Sequence, residues 1–355
     1  MIKIDVVWLQ YNKDIPARGY WDQQIVEDLF NGDMWNPVNG YEFIHSEGFH
    51  NQIKDGAIIV LPASSQADFI DEFNEAISWM KWVLIIITSD EEAKFPVEKI
   101  KHPNMKIWIQ LPHYLKHYGL GRPLINGYTP HIKLLDTILC PEKDLDIFFA
   151  GQITHKTRQR CSEELKLFKV GEDKRIVIET DGFAKGLVPE CYVSNMAKAK
   201  IVPCPSGENT PNTFRLFEAL EAGCIPIADE CPNREVPAGY WSYLFGENPP
   251  FPILDKDYKL ADKIDEILPD WKRLSNRIFA WWQQFKRRLA YDLVDDIDQL
   301  RGDKPFEDNL KNLITILMPT SPIHSHPSLE VIEESVNSVR THLPDSEIII
   351  MIDGI

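Results

Sequence analysis

The stretch "FRLFEALEAGCIPI", residues 214–227, places charged side chains on a short predicted helix that leads through a glycine into an apolar strand. Arg215 and Glu218 are three residues apart, so they share one face of that helix. An arginine near a helix N-terminus can contact phosphate, and one turn later a carboxylate can accept hydrogen bonds from the two hydroxyl groups of a ribose. The spacing therefore indicates a nucleotide site. The alternative is an Arg–Glu ion pair on the helix surface, which contributes little to stability.

The residues around this helix predict where it begins and ends. Asn209 or Thr210 is a suitable N-cap, with Pro211 in the first turn, and Gly223 occupies a common helix end. We therefore expect a helix over about 212–222. It follows the apolar stretch "KIVPCP", and ligands of open parallel sheets lie beyond the carboxyl ends of the strands.

The apolar pattern predicts two α/β halves that position this helix. The runs "IDVVWLQ", "GAIIVLPASS" and "WVLIIITSDEE" are continuously apolar, which is typical of parallel strands covered on both faces. Phe69, Phe73 and Ile77 recur at a helical period between two of these runs. A second set of strands and helices begins at "LDIFFAGQ". No G-x-G-x-x-G follows the first strand, which disfavours a dinucleotide-binding oxidoreductase.

The same pattern predicts the domain organisation. We expect two Rossmann-like domains at 1–128 and 129–270, closing helices at 271–300 and a charged linker at 301–312. Residues 313–355 have room for one βαβ unit, which cannot bury its sheet alone. We expect this unit to be the start of a further domain.

Composition narrows the classes of partner. The 355 residues carry a formal net charge of −16, which repels phosphate backbones and disfavours a nucleic-acid partner. No apolar run is long enough to span a bilayer, and the N-terminus lacks a secretory signal, so we expect a cytoplasmic protein. The helix "FAWWQQFKRRLAYDL" permits contact with a membrane surface. The alternative is that Trp281 and Trp282 enter the core while the basic side chains point outward.

Metal binding is not expected. The cysteines are scattered without the spacing of a zinc site. The spaced aspartates Asp144/Asp146 and Asp255/Asp257 are interpreted as surface or strand-end acids.

The stretch "CPSG…RLFEALEAGCIPIAD" resembles the donor-binding half of the exostosin-like glycosyltransferases. "DIFFAGQ…R…EEL" is similar to the opening of that half, and "PLINGYTP" to the segment that joins its two domains. The resemblance covers about 125–250 and implies a GT-B fold, in which two Rossmann-like domains face a cleft. It also implies inverting sugar transfer from a nucleotide sugar, a UDP-sugar being the first expectation, to a glycan or glycolipid. No cofactor or metal would be required. The alternative is an inactive GT-B module that binds glycan or scaffolds a downstream transferase.

The resemblance implies a donor-binding set. Glu218 would bind the ribose, Arg215 would lie near the diphosphate, and Ser206 stands where the family has a basic residue. Positive charge must then come from Lys156 or from the arginines. The full predicted set is Glu218, Arg215, Gly151, Arg158, Arg160, Gly207, Asn212 and Thr213.

An inverting transfer needs a general base on the acceptor side, at the carboxyl end of a strand in the first half. The favoured candidates are Asp90 and Glu91 in the "SDEE" loop, and the alternative is that this loop is a solvated cap. His113 is a further candidate that could instead be a packing residue. Asp14, Asp22 and Glu92 are further candidates for this base. The loop "ARGYWDQ" suits acceptor recognition through Arg18, Tyr20, Trp21 and Asp22, unless it is an ordinary βα loop.

The C-terminal stretch has a resemblance of its own. "TILMPTSPIHSHPS…EIIIMIDG" is similar to the start of a family-two GT-A glycosyltransferase. The metal-binding D-x-D of such a domain is absent, so we expect this segment to be catalytically silent. The resemblance implies a parent polypeptide with two transferases in series, as polysaccharide biosynthesis would use.

Overall fold

The computed structural model describes residues 2–10, 18, 21–31, 41–50, 53, 55–63, 69–137, 142–169, 171, 174–182, 185–230, 238–255, 259–302, 315–320 and 347–352. Asp14, Tyr20 and the side chain of Trp21 therefore lie outside the described part. The chain divides into two compact units, residues 1–293 and 294–355, which are described separately.

The first half of the larger unit is a six-stranded parallel sheet in the order β2-β1-β3-β4-β5-β6. Every residue of β3 and β4 is buried, as their continuous apolar sequences predict. The strands are β1 Ile2–Trp8, β2 Tyr41–Glu47, β3 Gly56–Pro62, β4 Trp82–Thr88, β5 Met105–Gln110 and β6 Arg122–Leu124.

Helices connect these strands and cover the sheet. They are α1 Gln24–Asn31, α2 Phe69–Ile77 and the short α3 Tyr114–His117. The predicted helical period is confirmed, since α2 buries Ile70, Phe73 and Ile77 against the apolar strands. A 3₁₀ turn, Trp21–Gln23, precedes α1 and brings Asp22 to the carboxyl edge of the sheet.

The segment between the two sheets is ordered and buried from Leu124 to Thr129. The side-chain amide of Gln110 donates to the carbonyl oxygens of Asp22 (2.5 Å) and Asn126 (2.9 Å). The backbone N–H of Asn126 donates to Oδ1 of Asn212 at 3.2 Å. These bonds connect the first sheet to the loop that precedes the helix of interest.

The second half is a five-stranded parallel sheet in the order β11-β10-β9-β7-β8. Counted from its own first strand, this order is 2-1-3-4-5, which the first five strands of the first sheet share. It is a doubly wound order, whose ligand crevice lies where the strand order reverses, here between β7 and β9. The strands are β7 Leu145–Gln152, β8 Arg175–Thr180, β9 Ala199–Cys204, β10 Ile225–Asp229 and β11 Ile253–Leu254.

The helices of the second half are α4 Lys156–Leu167, α5 Pro189–Lys198, α6 Phe214–Glu221, α7 Tyr240–Phe245, α8 Leu260–Ile267 and α9 Trp271–Arg301. In α9, Trp282 is fully buried and stacks against Phe285, while Trp281 packs edge-on against Phe245. The expectation that the basic side chains of α9 all point outward is wrong for Lys286. Its ammonium group is buried and bonds both oxygens of Glu221, at 2.7 and 3.0 Å, because a carboxylate from α6 reaches the same interior position.

In the smaller unit, β12 Thr315–Thr320 and β13 Glu347–Ile352 form a parallel pair with Ile316 opposite Ile348. Parallel pairing agrees with the predicted βαβ connection. The Asp-Gly of the predicted GT-A start lies outside the described residues. Within the described part of the chain, no helix combines the length and apolar character that crossing a membrane requires.

Candidate functional site

A cavity of about 220 Å³ opens at the carboxyl edge of the second sheet. Its walls come from the ends of β7 and β8, from the segment that leads into α5, and from the start of α6. This is the reversal point of the strand order, where ligands of doubly wound sheets bind. The lining residues are Thr129, His131, Ala150, Gly151, Gln152, Arg158, Thr180, Gly182, Lys185, Leu187, Pro189, Tyr192, Thr213, Phe214, Arg215 and Glu218.

The helix α6 begins later than predicted, with Thr213 as its N-cap. Thr210 is not the cap, because its side chain donates to the Tyr240 hydroxyl (3.0 Å) and accepts from the Asn212 N–H (3.2 Å). Its carbonyl oxygen accepts from Gly207 at 2.8 Å and closes a tight turn. Pro211 therefore lies between this turn and the helix, not within the helix.

The predicted end of α6 is confirmed. Gly223 has φ +63°, the left-handed conformation that suits glycine. Its N–H bonds the carbonyl of Leu220 at 3.2 Å, and the N–H of Cys224 bonds that of Ala219 at 2.8 Å. This is the Schellman arrangement, which ends the helix and directs the chain into β10.

Arg215 lies in the wall of the cavity with part of its hydrogen-bonding capacity unused. Its Nη2 donates to the carbonyl of Ala150 at 2.7 Å, and its guanidinium carbon lies 4.7 Å from the ring centroid of Phe149. Nε and Nη1 are buried and have no acceptor among the described residues. Gly151 makes this position possible, since a Cβ there would collide with the guanidinium group. Buried N–H groups without an acceptor are costly, so the site is suited to an anion.

Glu218 lies one turn further along α6 and is only 4% exposed. Its Oε1 accepts from the Thr129 hydroxyl and its Oε2 from the Tyr192 hydroxyl, both at 2.7 Å. Burial and then the charge of Glu218 raise the pKa of Tyr192 well above its usual value, so this hydroxyl remains a donor. The alternative of a surface Arg215–Glu218 ion pair is wrong, because each side chain is turned to different partners inside the fold.

Arg158 is the second cation of the cavity. Its Nε donates to the Ser206 carbonyl at 3.0 Å and its Nη1 to the Gln152 carbonyl at 3.2 Å. Burial and then the nearby Arg215 lower the pKa of Arg158 to about 10. Among the described residues, no carboxylate forms an ion pair with Arg158 or Arg215. Two guanidinium groups that repel each other beside a cavity favour binding of a multiply charged anion.

Ser206 holds Arg158 in place instead of contributing charge. Its hydroxyl and backbone N–H donate to the Asp229 carboxylate at the end of β10, and its side chain is fully buried. Its carbonyl oxygen accepts from Arg158 and contacts Nε2 of His155 at 3.1 Å. A basic side chain would not fit this closed position.

The structure brings five of the eight predicted donor residues to the cavity: Gly151, Arg158, Thr213, Arg215 and Glu218. The other three do not line it. Arg160 is exposed and pairs with Glu164 at 3.6 Å, Gly207 forms the turn with Thr210, and Asn212 bonds Asn126.

The three candidate bases in the first half differ in burial and in hydrogen bonding. Asp90 is buried, and its two oxygens accept from the N–H groups of Lys94 (2.9 Å) and Phe95 (3.1 Å), so it closes its own turn. His113 is the N-cap residue of α3, and its N–H donates to Nδ1 of His117 at 3.0 Å. Glu91, between them in the chain, is exposed.

Among the predicted acceptor residues, Arg18 pairs with Glu27 at 3.2 Å and lies 5.6 Å over the Trp8 ring. Asp22 is buried and accepts a hydrogen bond from the Ser89 hydroxyl, while its Oδ1 has no partner among the described residues. Burial raises the pKa of Asp22 above its usual value.

Sequence reasoning missed Thr129, Tyr192 and Lys185, which also line the cavity. Thr129 lies in the "PLINGYTP" stretch, so that resemblance was a usable signal. Tyr192 comes from another helix, and no spacing along the chain connects it to Glu218.

Comparison of the sequence with models of known protein families, and with curated proteins, gives no match. In the ranges that the structure describes, no group of three or more His, Cys, Asp or Glu side chains is arranged to hold a metal ion.

Proposed function

We propose that this protein is a GT-B glycosyltransferase of the exostosin-like kind, which transfers a sugar from a nucleoside-diphosphate donor to a glycan or glycolipid acceptor with inversion. The second half binds the donor, with a UDP-sugar as first candidate, and the reaction takes place in the cytoplasm. One observation carries the proposal: Arg215 and Glu218 come from one turn of α6 and line the same cavity, and two buried nitrogens of Arg215 have no acceptor within the described ranges.

The charges of the cavity suit a diphosphate next to a ribose. Arg158 and Arg215 supply two cations to the cavity wall, and Glu218 supplies a carboxylate one turn after Arg215 on α6. The start of α6 adds the positive end of a helix dipole. Charge that develops on a departing diphosphate is stabilised by such preorganised donors.

Glu218 keeps the capacity to bind a diol. A carboxylate has about four lone-pair sites, and the Thr129 and Tyr192 hydroxyls occupy two of them. One site remains on each oxygen for the two hydroxyl groups of a ribose. The protein donors also fix the orientation of the carboxylate, which reduces the entropy lost on binding.

The cavity accommodates part of the donor. Small-molecule sites usually measure about 300–1,000 Å³, so about 220 Å³ suits the nucleotide portion. The sugar would then extend out of this cavity.

A thermal-shift panel with UDP, GDP, ADP and CDP tests the proposal. We expect at least one nucleotide to raise the melting temperature, and Glu218→Ala to abolish that rise because the ribose loses its acceptor. Glu163→Ala is the matched control, since Glu163 is an exposed carboxylate of α4 that accepts a hydrogen bond from the side-chain amide of Gln159 at 2.9 Å. Absence of a shift with all four nucleotides would count decisively against the proposal.

A donor-binding module without transferase activity is the second candidate. The observation in its favour is that the Asp90 carboxylate, a candidate general base, is already engaged by the backbone N–H groups of Lys94 and Phe95. Release of nucleoside diphosphate from sugar nucleotides distinguishes the two, because the inactive module would bind nucleotide without releasing product.

A further inference from the structure

Lys185 lines the cavity from the segment between β8 and α5. Its aliphatic stem crosses Gly182, where a Cβ would stand 3.0 Å from Cδ and 3.6 Å from Nζ of the lysine. The backbone N–H of Lys185 donates to the Gly182 carbonyl at 3.2 Å. On the other side, Gly186 has φ +111° and packs against Thr180, whose Cγ2 would lie 2.6 Å from an added Cβ. These contacts before and after Lys185 fix it over the carboxyl end of β8.

The ammonium group of Lys185 is free to bind a ligand. The residue is exposed, and within the described ranges its Nζ has no carboxylate or carbonyl partner. Two other lysines beside β8 are already engaged, since Lys166 pairs with Glu179 at 2.7 Å and Lys174 donates to the Asp144 carbonyl at 3.2 Å. An ammonium group has three N–H donors and accepts no hydrogen bond, so a ligand here must present acceptors.

The three cations of the cavity lie over different strands. Arg158 donates to the Ser206 carbonyl, which follows β9, and to the last carbonyl of β7. Arg215 lies against Gly151 of β7. Lys185 lies over β8, which is on the opposite side of β7 from β9, and neighbouring strands are about 4.8 Å apart. Lys185 is therefore separate from the arginine pair that faces the proposed diphosphate.

The proposed donor fits these groups in one order. A nucleoside diphosphate has its ribose between the diphosphate and the base. With the diphosphate at the arginine pair and the ribose at Glu218, the base lies beyond Glu218. Tyr192, which bonds Glu218, belongs to α5, and the segment that leads into α5 supplies the next lining residues, Lys185, Leu187 and Pro189. The last two offer apolar contact to a ring, and Lys185 offers donors at its edge.

The exposure of the lining residues indicates which edge of the base meets Lys185. Glu218 and Thr129 are buried, whereas Lys185 is exposed, so the lysine lies at the outer rim of the cavity. The substituent of a pyrimidine base farthest from the ribose is the one on C4, which is a carbonyl oxygen in uracil and an amino group in cytosine. Guanine and adenine differ in the same way at C6. An ammonium group can donate to the carbonyl oxygen but meets only further donors in the amino group.

We propose that Lys185 is a specificity-determining residue of the donor site and selects nucleobases with a carbonyl oxygen at the edge farthest from the ribose. This inference rests on the proposed function and deepens it by naming the group that recognises the base. It ranks UDP above CDP and, among purine nucleotides, GDP above ADP. A cavity of about 220 Å³ favours the single ring of a pyrimidine, so UDP is the best ligand of the four.

Isothermal titration calorimetry with UDP and CDP measures this selection, since the two nucleotides share their ribose and diphosphate. We expect the wild type to bind UDP roughly tenfold more tightly than CDP or better, because only UDP gains the charge-assisted hydrogen bond. Lys185→Met keeps an unbranched stem across Gly182 and removes the ammonium group. It should weaken UDP until its Kd is within about twofold of that of CDP, while CDP binding stays within about twofold of the wild type. If the wild type binds only purine nucleotides, GDP and ADP take the place of UDP and CDP.

Lys169→Met is the matched control, because Lys169 is an exposed lysine of the same half that does not line the cavity. It should keep the wild-type preference for UDP. Equal weakening of UDP and CDP by Lys185→Met overturns the inference, since a lysine that binds the diphosphate, or the C2 carbonyl that both bases carry, would affect both ligands alike. Unchanged affinities in Lys185→Met, or a wild type that prefers CDP, also overturn it. Failure of UDP, GDP, ADP and CDP all to bind the wild type overturns the proposed function itself.

Discussion

Substitution of Gly151 by alanine should change both the stability of the protein and its binding of nucleotide at the proposed donor site. Gly151 lies near the end of β7, and its φ is not in the left-handed region, so alanine is compatible with the backbone. The obstacle is the guanidinium group of Arg215, with which a Cβ would collide. Gly151→Ala must therefore displace Arg215 from the Ala150 carbonyl and from the face of Phe149.

The size of the effect follows from the two contacts that would be lost. A hydrogen bond from a charged donor contributes about 1.5–3 kcal/mol, and a partly desolvated cation–π contact about 0.5–2 kcal/mol. Some of this is recovered as the arginine finds new partners, so we expect Gly151→Ala to lower the free energy of unfolding by about 2–3 kcal/mol. The nucleotide-induced rise in melting temperature should shrink as well, because the displaced guanidinium no longer faces the diphosphate.

A double-mutant cycle with Arg215→Ala provides the test, with urea unfolding and the nucleotide thermal shift as the two readouts. If the collision is the cause, Gly151→Ala should change stability by less than about 0.5 kcal/mol once Arg215 is alanine. An equal loss in both backgrounds would refute the reasoning, as would a Gly151→Ala protein with wild-type stability and nucleotide response.

Two further predictions concern charges away from the cavity. Lys286→Met leaves the Glu221 carboxylate buried without its cation and should destabilise the protein by about 3–5 kcal/mol in urea unfolding, whereas adding Glu221→Gln should recover most of the loss. A Glu221→Gln addition that deepens the loss would contradict this account. Burial and then Arg18 lower the pKa of His45 from 6.5 to about 4. The folded state therefore disfavours protonation of His45. The contribution of neutral His45 to the free energy of unfolding is complete above pH 6.5 and declines as the pH falls towards 4. Urea midpoints at pH 7.5 and 4.5 should differ less for His45→Gln than for the wild type, and equal differences would be inconsistent with a neutral His45 that accepts from Trp8.

The strands with continuous apolar runs could be predicted from the sequence, because a strand that is buried on both faces needs apolar residues at every position. β3 and β4 are such cases, and α2 shows the helical period that its buried residues require. The end of α6 was predictable for a similar local reason, since Gly223 is the residue type that the left-handed conformation favours. Its start was not, because the side chain of Thr210 is used by Tyr240, which lies 30 residues away.

The candidate site likewise has features that the local sequence determines and features that depend on tertiary contacts. The sequence alone determined that an arginine and a carboxylate share one face of a short helix ahead of a buried strand, because helical spacing is local. Only the tertiary structure decided that they do not pair with each other, that Thr129 and Tyr192 orient the carboxylate, and that Arg158 stands beside Arg215. Which groups meet at the edge of a sheet depends on strand order and on the packing of the two halves, and neither leaves a pattern within any short stretch of residues.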